Sequence, residues 1–181
     1  QYRIKKPIAV IPTCADTSMF KPRKREDILM KKLRLQGKFV LAYVGSLGTW
    51  YCFEEMVKFF LVLKKEKPSA HFLLLVNDPE KAKTLLEKVP LAKEEYTLST
   101  LPRVEMPRWL SLADAGVFFI RPVFSKKGSC PTKLGEFLAA GIPIIANKGI
   151  GDCDRYIGTY RVGIVVDGFT TEAYRKAVSR I

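Results

Sequence analysis

The 181-residue chain reads as an α/β protein: a doubly wound, mostly parallel six-stranded sheet with helices on both faces. Three observations predict this. Short apolar runs recur at residues 39–44, 71–76, 96–101, 115–120, 143–146 and 162–166. Helix-period segments lie between them. All the runs but 96–101, where Thr97, Ser99 and Thr100 intervene, are apolar through most of their length rather than alternating, which is how strands covered on both faces read, and strand–helix–strand units of this kind close with right-handed crossovers. The length suits one well-buried domain and is short for two.

Taken in order, Pro7-Ile-Ala-Val-Ile-Pro12 reads as a short strand and residues 13–20 as a loop. Residues 21–36 read as a basic, weakly amphipathic helix in which Ile28, Leu29, Lys32 and Leu33 mix apolar and charged faces. Phe39-Val-Leu-Ala-Tyr-Val44 is a buried strand that runs into Gly45-Ser-Leu-Gly-Thr-Trp50. Phe53, Met56, Val57, Phe60 and Leu61 then mark one face of a helix closing near Pro68. After the strand at 71–76, Asn77-Asp-Pro caps a helix that extends to Val89. Residues 96–101 form the third strand, 107–112 a short helical turn and 115–120 the fourth strand. A helix begins at Pro131, where the missing N–H costs nothing, carries Leu134, Phe137 and Leu138 on one face, and stops at Gly141. The chain resumes as strand at Pro143, residues 152–158 read as a short helix and 162–166 as the sixth strand. Thr170 or Thr171 caps a last helix to Ile181.

Composition is that of a soluble globular protein, 48% hydrophobic and 27% charged. No apolar run reaches the length that spans a bilayer, and no signal-peptide pattern opens the chain. A start at Gln1 rather than Met is what a piece of a longer chain would show. The cysteines (Cys14, Cys52, Cys130, Cys153) are scattered without a CxxC pair, and His71 is the one histidine, so structural zinc is not expected and a reducing compartment is the default. Cys130 would gain thiolate character at a helix N-terminus, but His71 opens a buried strand, which argues against a Cys-His hydrolase. Of the net charge of +13, residues 1–40 hold +8, from eleven Lys and Arg against three Asp and Glu. Such a patch suits an anionic membrane surface, a nucleic acid or plain solubility. Only Tyr2, Phe20 and Phe39 interleave it, so a single-strand nucleic-acid platform ranks last.

In the dinucleotide-binding order 3-2-1-4-5-6, the first and fourth strands are adjacent and the ligand crevice opens beyond their carboxyl ends. Counting from Phe39, those ends are Gly45 and Arg121. Two unusual loops therefore meet there. Gly45-Ser46-Leu47-Gly48 is not a GxGxxG fingerprint, and no acidic residue follows the second strand in the NAD position. The second loop, Arg121 to Pro131, carries Lys126, Lys127, Gly128, Ser129 and Cys130 into the helix. Lys133 falls at its third position, where the macrodipole disfavours a cation and a capping box would place Glu or Gln. An anion between that lysine and the free helix N–H groups would remove the conflict, so the stretch reads as a phosphate cradle. The competing reading is a solvated basic loop with Ser129 or Thr132 helping to cap the helix. Glu136 shares a helical face with Thr132 and Lys133 and could accept from two neighbouring hydroxyls of a ribose or hexose; alternatively it is half of a Lys-Glu surface pair.

Val10-Ile-Pro12 with Asp16 and Phe20, Tyr43 to Tyr51, Met106-Pro-Arg-Trp-Leu-Ser-Leu-Ala-Asp114, and Ser129-Cys-Pro-Thr-Lys-Leu-Gly-Glu-Phe-Leu-Ala-Ala-Gly-Ile-Pro143 together resemble family 4 retaining glycosyltransferases of the GT-B fold. The resemblance covers nearly the whole chain but only the carboxy-terminal, donor-binding half of such an enzyme. It implies a Rossmann-like half of a GT-B fold over residues 39–181, with residues 1–38 as interdomain strand, loop and basic helix, and an amino-terminal acceptor domain that is absent. It implies retaining transfer from a nucleotide-diphosphate sugar to a glycan or lipid-linked acceptor, without a bound metal or other cofactor. By position, Gly45, Ser46 and Leu47 approach the diphosphate. Ser129, Cys130, Pro131, Thr132 and Lys133 bind it, with Lys126, Lys127 and Gly128 of the basic loop just upstream, Glu136 holds the ribose, and the base lies near the loop after Leu101. Lys133 and Glu136 are the residues expected to carry the chemistry. The expected partners are the nucleotide sugar, the acceptor domain and an anionic membrane surface, not nucleic acid, in a cytoplasmic setting at the inner face of the membrane. The alternative is a noncatalytic nucleotide- or sugar-phosphate-binding module. The chain departs from the family pattern twice: Gly128 stands where a Glu is common, and no basic residue follows the first glycine loop between Gly45 and Tyr51.

Overall fold

The computed structural model describes residues 6, 7, 9, 11–48 and 50–181. Six parallel strands, β1 (Phe39–Gly45), β2 (Ala70–Val76), β3 (Tyr96–Ser99), β4 (Ala115–Phe118), β5 (Ile144–Asn147) and β6 (Gly163–Val166), lie in the order β3-β2-β1-β4-β5-β6. The helices are α1 (Asp27–Lys32), α2 (Phe53–Glu66), α3 (Pro79–Leu86), α4 (Met106–Leu110), α5 (Thr132–Ala139), α6 (Cys153–Tyr160) and α7 (Thr171–Val178). The doubly wound expectation is met.

The continuous apolar runs are explained by burial on two faces. Phe72 of β2, Leu41 of β1 and Ala115 of β4 are register partners and share a face, where Phe60 of α2 stacks on Phe72 at 4.9 Å. The next residue along β4, Gly116, points to the opposite face, against Phe137 of α5. A Cβ there would meet that ring at 2.6 Å, so the glycine sets how closely α5 lies on the sheet. Phe119 completes the α2 side, edge-on to Phe59 at 5.7 Å and stacked on Tyr174 of α7 at 6.1 Å.

The carboxyl ends of β1 and β4 are stitched together beyond the sheet. Tyr51 and Ile120 form an isolated antiparallel bridge, Cys52 N donates to Phe119 O (2.9 Å) and Arg121 N to Trp50 O (2.8 Å). Buried Asn147, at the end of β5, clamps the same place: Ile120 N donates to its Oδ1 at 2.8 Å and its Nδ2 donates to Ile120 O at 2.9 Å. These bonds fix the floor of the crevice.

Several boundaries differ from the sequence expectation. The basic helix shrinks from residues 21–36 to Asp27–Lys32, because Pro22 biases Lys21 away from helix and Arg34 turns left-handed at φ 55°. Its buried Leu29 and Met30 join Phe20 and Leu35 in the core. In the expected strand at 7–12, Ile8 and Val10 lie outside the described residues, and Pro7, Ala9, Ile11 and Pro12 are not in a strand. α3 ends at Leu86 rather than Val89, β3 at Ser99 rather than Leu101 and β4 at Phe118 rather than Ile120, while α6 runs on to Tyr160. The caps at Asp78 and Thr170 are present, accepting from Lys81 N (3.0 Å) and Ala173 N (3.1 Å).

Candidate functional site

α5 begins one residue later than its sequence suggested. Pro131 is the N-cap rather than the first helical residue, so Lys133 is second in the helix, not third. Neither Ser129 nor Thr132 caps it: no side chain closes this helix end, and no acidic residue lies in its first turn. Upstream, Phe124–Gly128 forms a 3-10 turn rather than an open loop. Lys126 projects over the Trp50 ring (4.2 Å to its centroid), while exposed Lys127 lies 5.7 Å from that of Phe124.

Lys133 itself folds inward and is only 6% exposed. Its Nζ sits 3.5 Å from the centroid of the Tyr51 ring and 4.7 Å from that of Tyr43. Among the described residues it is the one buried side-chain nitrogen or oxygen without a hydrogen-bond partner. Burial pulls its amine down to about 7, opposed by the charge of Glu136. It also lies against the first glycine loop: at Gly45, where φ is 133°, a Cβ would stand 2.6 Å from Nζ. Tyr43 Oη donates to Ser46 O at 2.6 Å and so holds that loop in place. Ser46 is exposed and Leu47 buried.

Glu136 is not a partner of Lys133 on the surface. It is buried, and its Oε1 accepts from Arg103 Nη2 at 2.7 Å. Thr132, expected on the same face, is exposed. Arg103 is the residue the sequence reading missed; it lies two residues beyond Leu101, on the loop assigned to the base, and its guanidinium also stands over Phe20 at 5.2 Å. Leu101 is half-buried against the core. The one signal for Arg103 was a cation in the loop after the third strand, facing the same crevice as Glu136.

Beside the helix start is a recess of about 180 Å3 lined by Trp50, Tyr51, Lys126, Ser129, Cys130 and Pro131. A larger one of about 460 Å3 adjoins it, bounded by Thr13, Lys127, Gly128, Cys130 and Tyr156 among others. Thr13 N donates to Cys130 Sγ at 3.2 Å, which places Thr13 beside the start of α5. No group of His, Cys, Asp and Glu among the described residues is placed to hold a metal ion. No described helix is long and apolar enough to cross a membrane.

The fold, with its switch-point crevice, defines the class: a Rossmann-like α/β domain of the kind that forms half of a GT-B enzyme. The chain belongs to the family described as glycosyl transferases group 1, whose profile matches residues 24–181. In structure it resembles the C-terminal domain of a glycosyl transferase group 1 family protein, LpcC, from Francisella tularensis, with 18% identity, a TM-score of 0.69 and coverage of 92% of this chain and 86% of that one. WaaG, a glycosyltransferase involved in lipopolysaccharide biosynthesis, gives 17% identity and 0.65 over 89% of this chain and 46% of its own. Anabaena Alr3699/HepE in complex with UDP and glucose gives 15% and 0.67 over 92% and 45%. The chain therefore spans about half the length of WaaG and HepE. No curated protein sequence matches it.

Proposed function

We propose that this chain is the donor-nucleotide domain of a retaining glycosyltransferase, which binds a nucleotide-diphosphate sugar for hexosyl transfer to a glycan or lipid-linked acceptor. One observation carries the reading: the buried, unpartnered Lys133 ammonium beside an uncapped helix N-terminus and the Gly45 backbone. Burying an ammonium without a hydrogen bond costs an isolated protein stability. A diphosphate would satisfy the lysine and the free N–H groups at once. As the sugar bond breaks, negative charge grows on the leaving diphosphate, where fixed positive charge and oriented N–H dipoles lower the barrier. In this reading Ser129 to Lys133 hold the diphosphate, Gly45 to Leu47 lie against it, and the Leu101–Arg103 loop faces the base. Arg103 engages Oε1 of Glu136, which leaves Oε2 to accept from a ribose hydroxyl.

The same reading gives the acceptor to a separate amino-terminal domain, so the chain alone does not turn over. It calls for no metal, since lysine and helix end supply the positive charge, and turnover of the full-length enzyme is expected to persist in a chelator. The charge excess of residues 1–40 suits attraction to an anionic membrane on its cytoplasmic side.

The test is calorimetric titration of the chain with UDP, GDP and ADP, repeated on Lys133→Ala. Saturable binding of one nucleotide that weakens at least tenfold in the variant is expected. Equal affinity in the variant would remove the diphosphate from this helix end.

A further inference from the structure

The departure from the family pattern at residues 45–51 leaves a question about Lys133. No second cation follows the glycine loop to share the phosphate charge, yet the long lysine side chain is held in one place without a single hydrogen bond. What surrounds it is aromatic. Tyr51 comes from the loop that lacks the cation, and Tyr43 from β1, one residue before the strand's last two. Their rings meet edge to face, with centroids 6.2 Å apart, and both turn toward Nζ.

We infer that Tyr51, with Tyr43, is a positioning device for Lys133: the two ring faces hold the ammonium in a dry aromatic corner against Gly45, poised to take up an anion. An ammonium within about 6 Å of a ring centroid is drawn to the negative face of the ring, and the attraction is largest where water is excluded. Neither ring can act as a counter-ion at neutral pH, because burial raises both phenols above their usual range. The corner therefore holds a cation without neutralising it. A carboxylate in the same place would pin the lysine and compete with phosphate, whereas a ring face releases it to a stronger acceptor at small cost. The backbone supports the same role. Tyr43 Oη anchors the loop at Ser46, and the Tyr51 backbone bridges Ile120, so both rings are fixed from outside the corner. Lys126 over exposed Trp50 repeats the motif at the rim.

The inference rests on the donor reading only for what the lysine is poised to meet. The titratable groups about Nζ are Tyr43, Tyr51 and, from its own helix, Glu136. The test replaces Tyr51 by Phe and then by mono-, di- and trifluorophenylalanine, which weakens the ring's negative face while keeping its shape. Lys133 is followed by NMR titration of its Cε carbon without nucleotide, its signal assigned from Lys133→Arg. Tyr51→Phe should leave the Lys133 pKa nearly unchanged, and successive fluorines should lower it stepwise, by about one pH unit across the series. A flat series would overturn the inference, even if Lys133→Ala still abolished UDP binding; that pairing would leave the donor site standing and make the rings mere packing. A graded series with no nucleotide binding would instead support the corner and sink the donor reading.

Discussion

Asn147 and Lys133 are both buried polar side chains at the carboxyl edge of the sheet, and they are treated in opposite ways. Asn147 has its amide oxygen and nitrogen engaged by Ile120 and gives a further bond to Lys148 O at 3.2 Å. Lys133 has none. Buried His71, near the other end of the sheet, follows the asparagine, with one ring nitrogen 2.9 Å from Thr97 Oγ1 and the other 3.3 Å from Lys38 Nζ. Burial of an unpaired polar group is costly, so folds pair such groups wherever structure alone is at stake. The contrast separates residues whose polar groups are paired within the fold from the one whose ammonium, on the donor-site proposal, awaits a ligand.

Substitutions can break this contrast. In the full-length enzyme, Lys133→Met should lower turnover by about 10²- to 10³-fold, the cost of removing one group that stabilises a developing anion. Its thermal midpoint should hold or rise, because methionine fills similar space with no ammonium to desolvate. A large fall in midpoint would make Lys133 a structural residue after all. Asn147→Ala should behave in the reverse manner. It strands the buried N–H and C=O of Ile120, each worth about 1–3 kcal/mol, so a loss of about 3 kcal/mol is expected in urea denaturation.

A smaller effect comes from pH. With the Lys133 amine at about 7 in the fold and near 10.4 unfolded, the unfolded chain binds more protons between those values. Stability should therefore rise with pH across that window, and Lys133→Met should flatten the rise. Binding runs the other way: a diphosphate needs the charged amine, so UDP affinity should fall as pH climbs above 7. Calorimetry at pH 8 in buffers of different ionisation enthalpy should report proton uptake that vanishes in the methionine variant. The smallest change is expected from Arg103→Ala. That side chain is 64% exposed, so its pair with Glu136 should contribute about 1 kcal/mol or less to stability. A larger loss would move Arg103 from the rim of the site into its framework.

Much of this was legible in the chain. The apolar runs marked the strands because a strand covered on both faces is apolar along its length, and the neighbouring strands Phe39–Gly45 and Ala70–Val76 are buried over most of theirs, whereas half-buried β3 at the sheet edge carries Thr97 and Ser99. The expected adjacency of β1 and β4, and with it the meeting of the two loops, also holds. Boundaries were less legible where a local conformation intervened, as with Pro22 and Arg34 around α1. Lys133 was singled out by its awkward place in a helix, but its helical position was one residue off and its surroundings were invisible. Nothing in the spacing of Tyr43, Tyr51 and Lys133 tells that two rings and an amine share one corner, and nothing joins Arg103 to Glu136.

The sequence by itself determined the strand–helix alternation, the class of the fold and the stretch on which a site would be built, because periodicity and turn chemistry act over a few residues. Only the tertiary structure decided which charges meet. Glu136 is taken by Arg103, thirty-three residues away, and Lys133 is turned inward onto Tyr51 because β4 brings the helix beneath the first glycine loop. Pairings of that kind depend on the packing of separate elements, and burial, which gives an unpaired ammonium its meaning, exists only once they have packed.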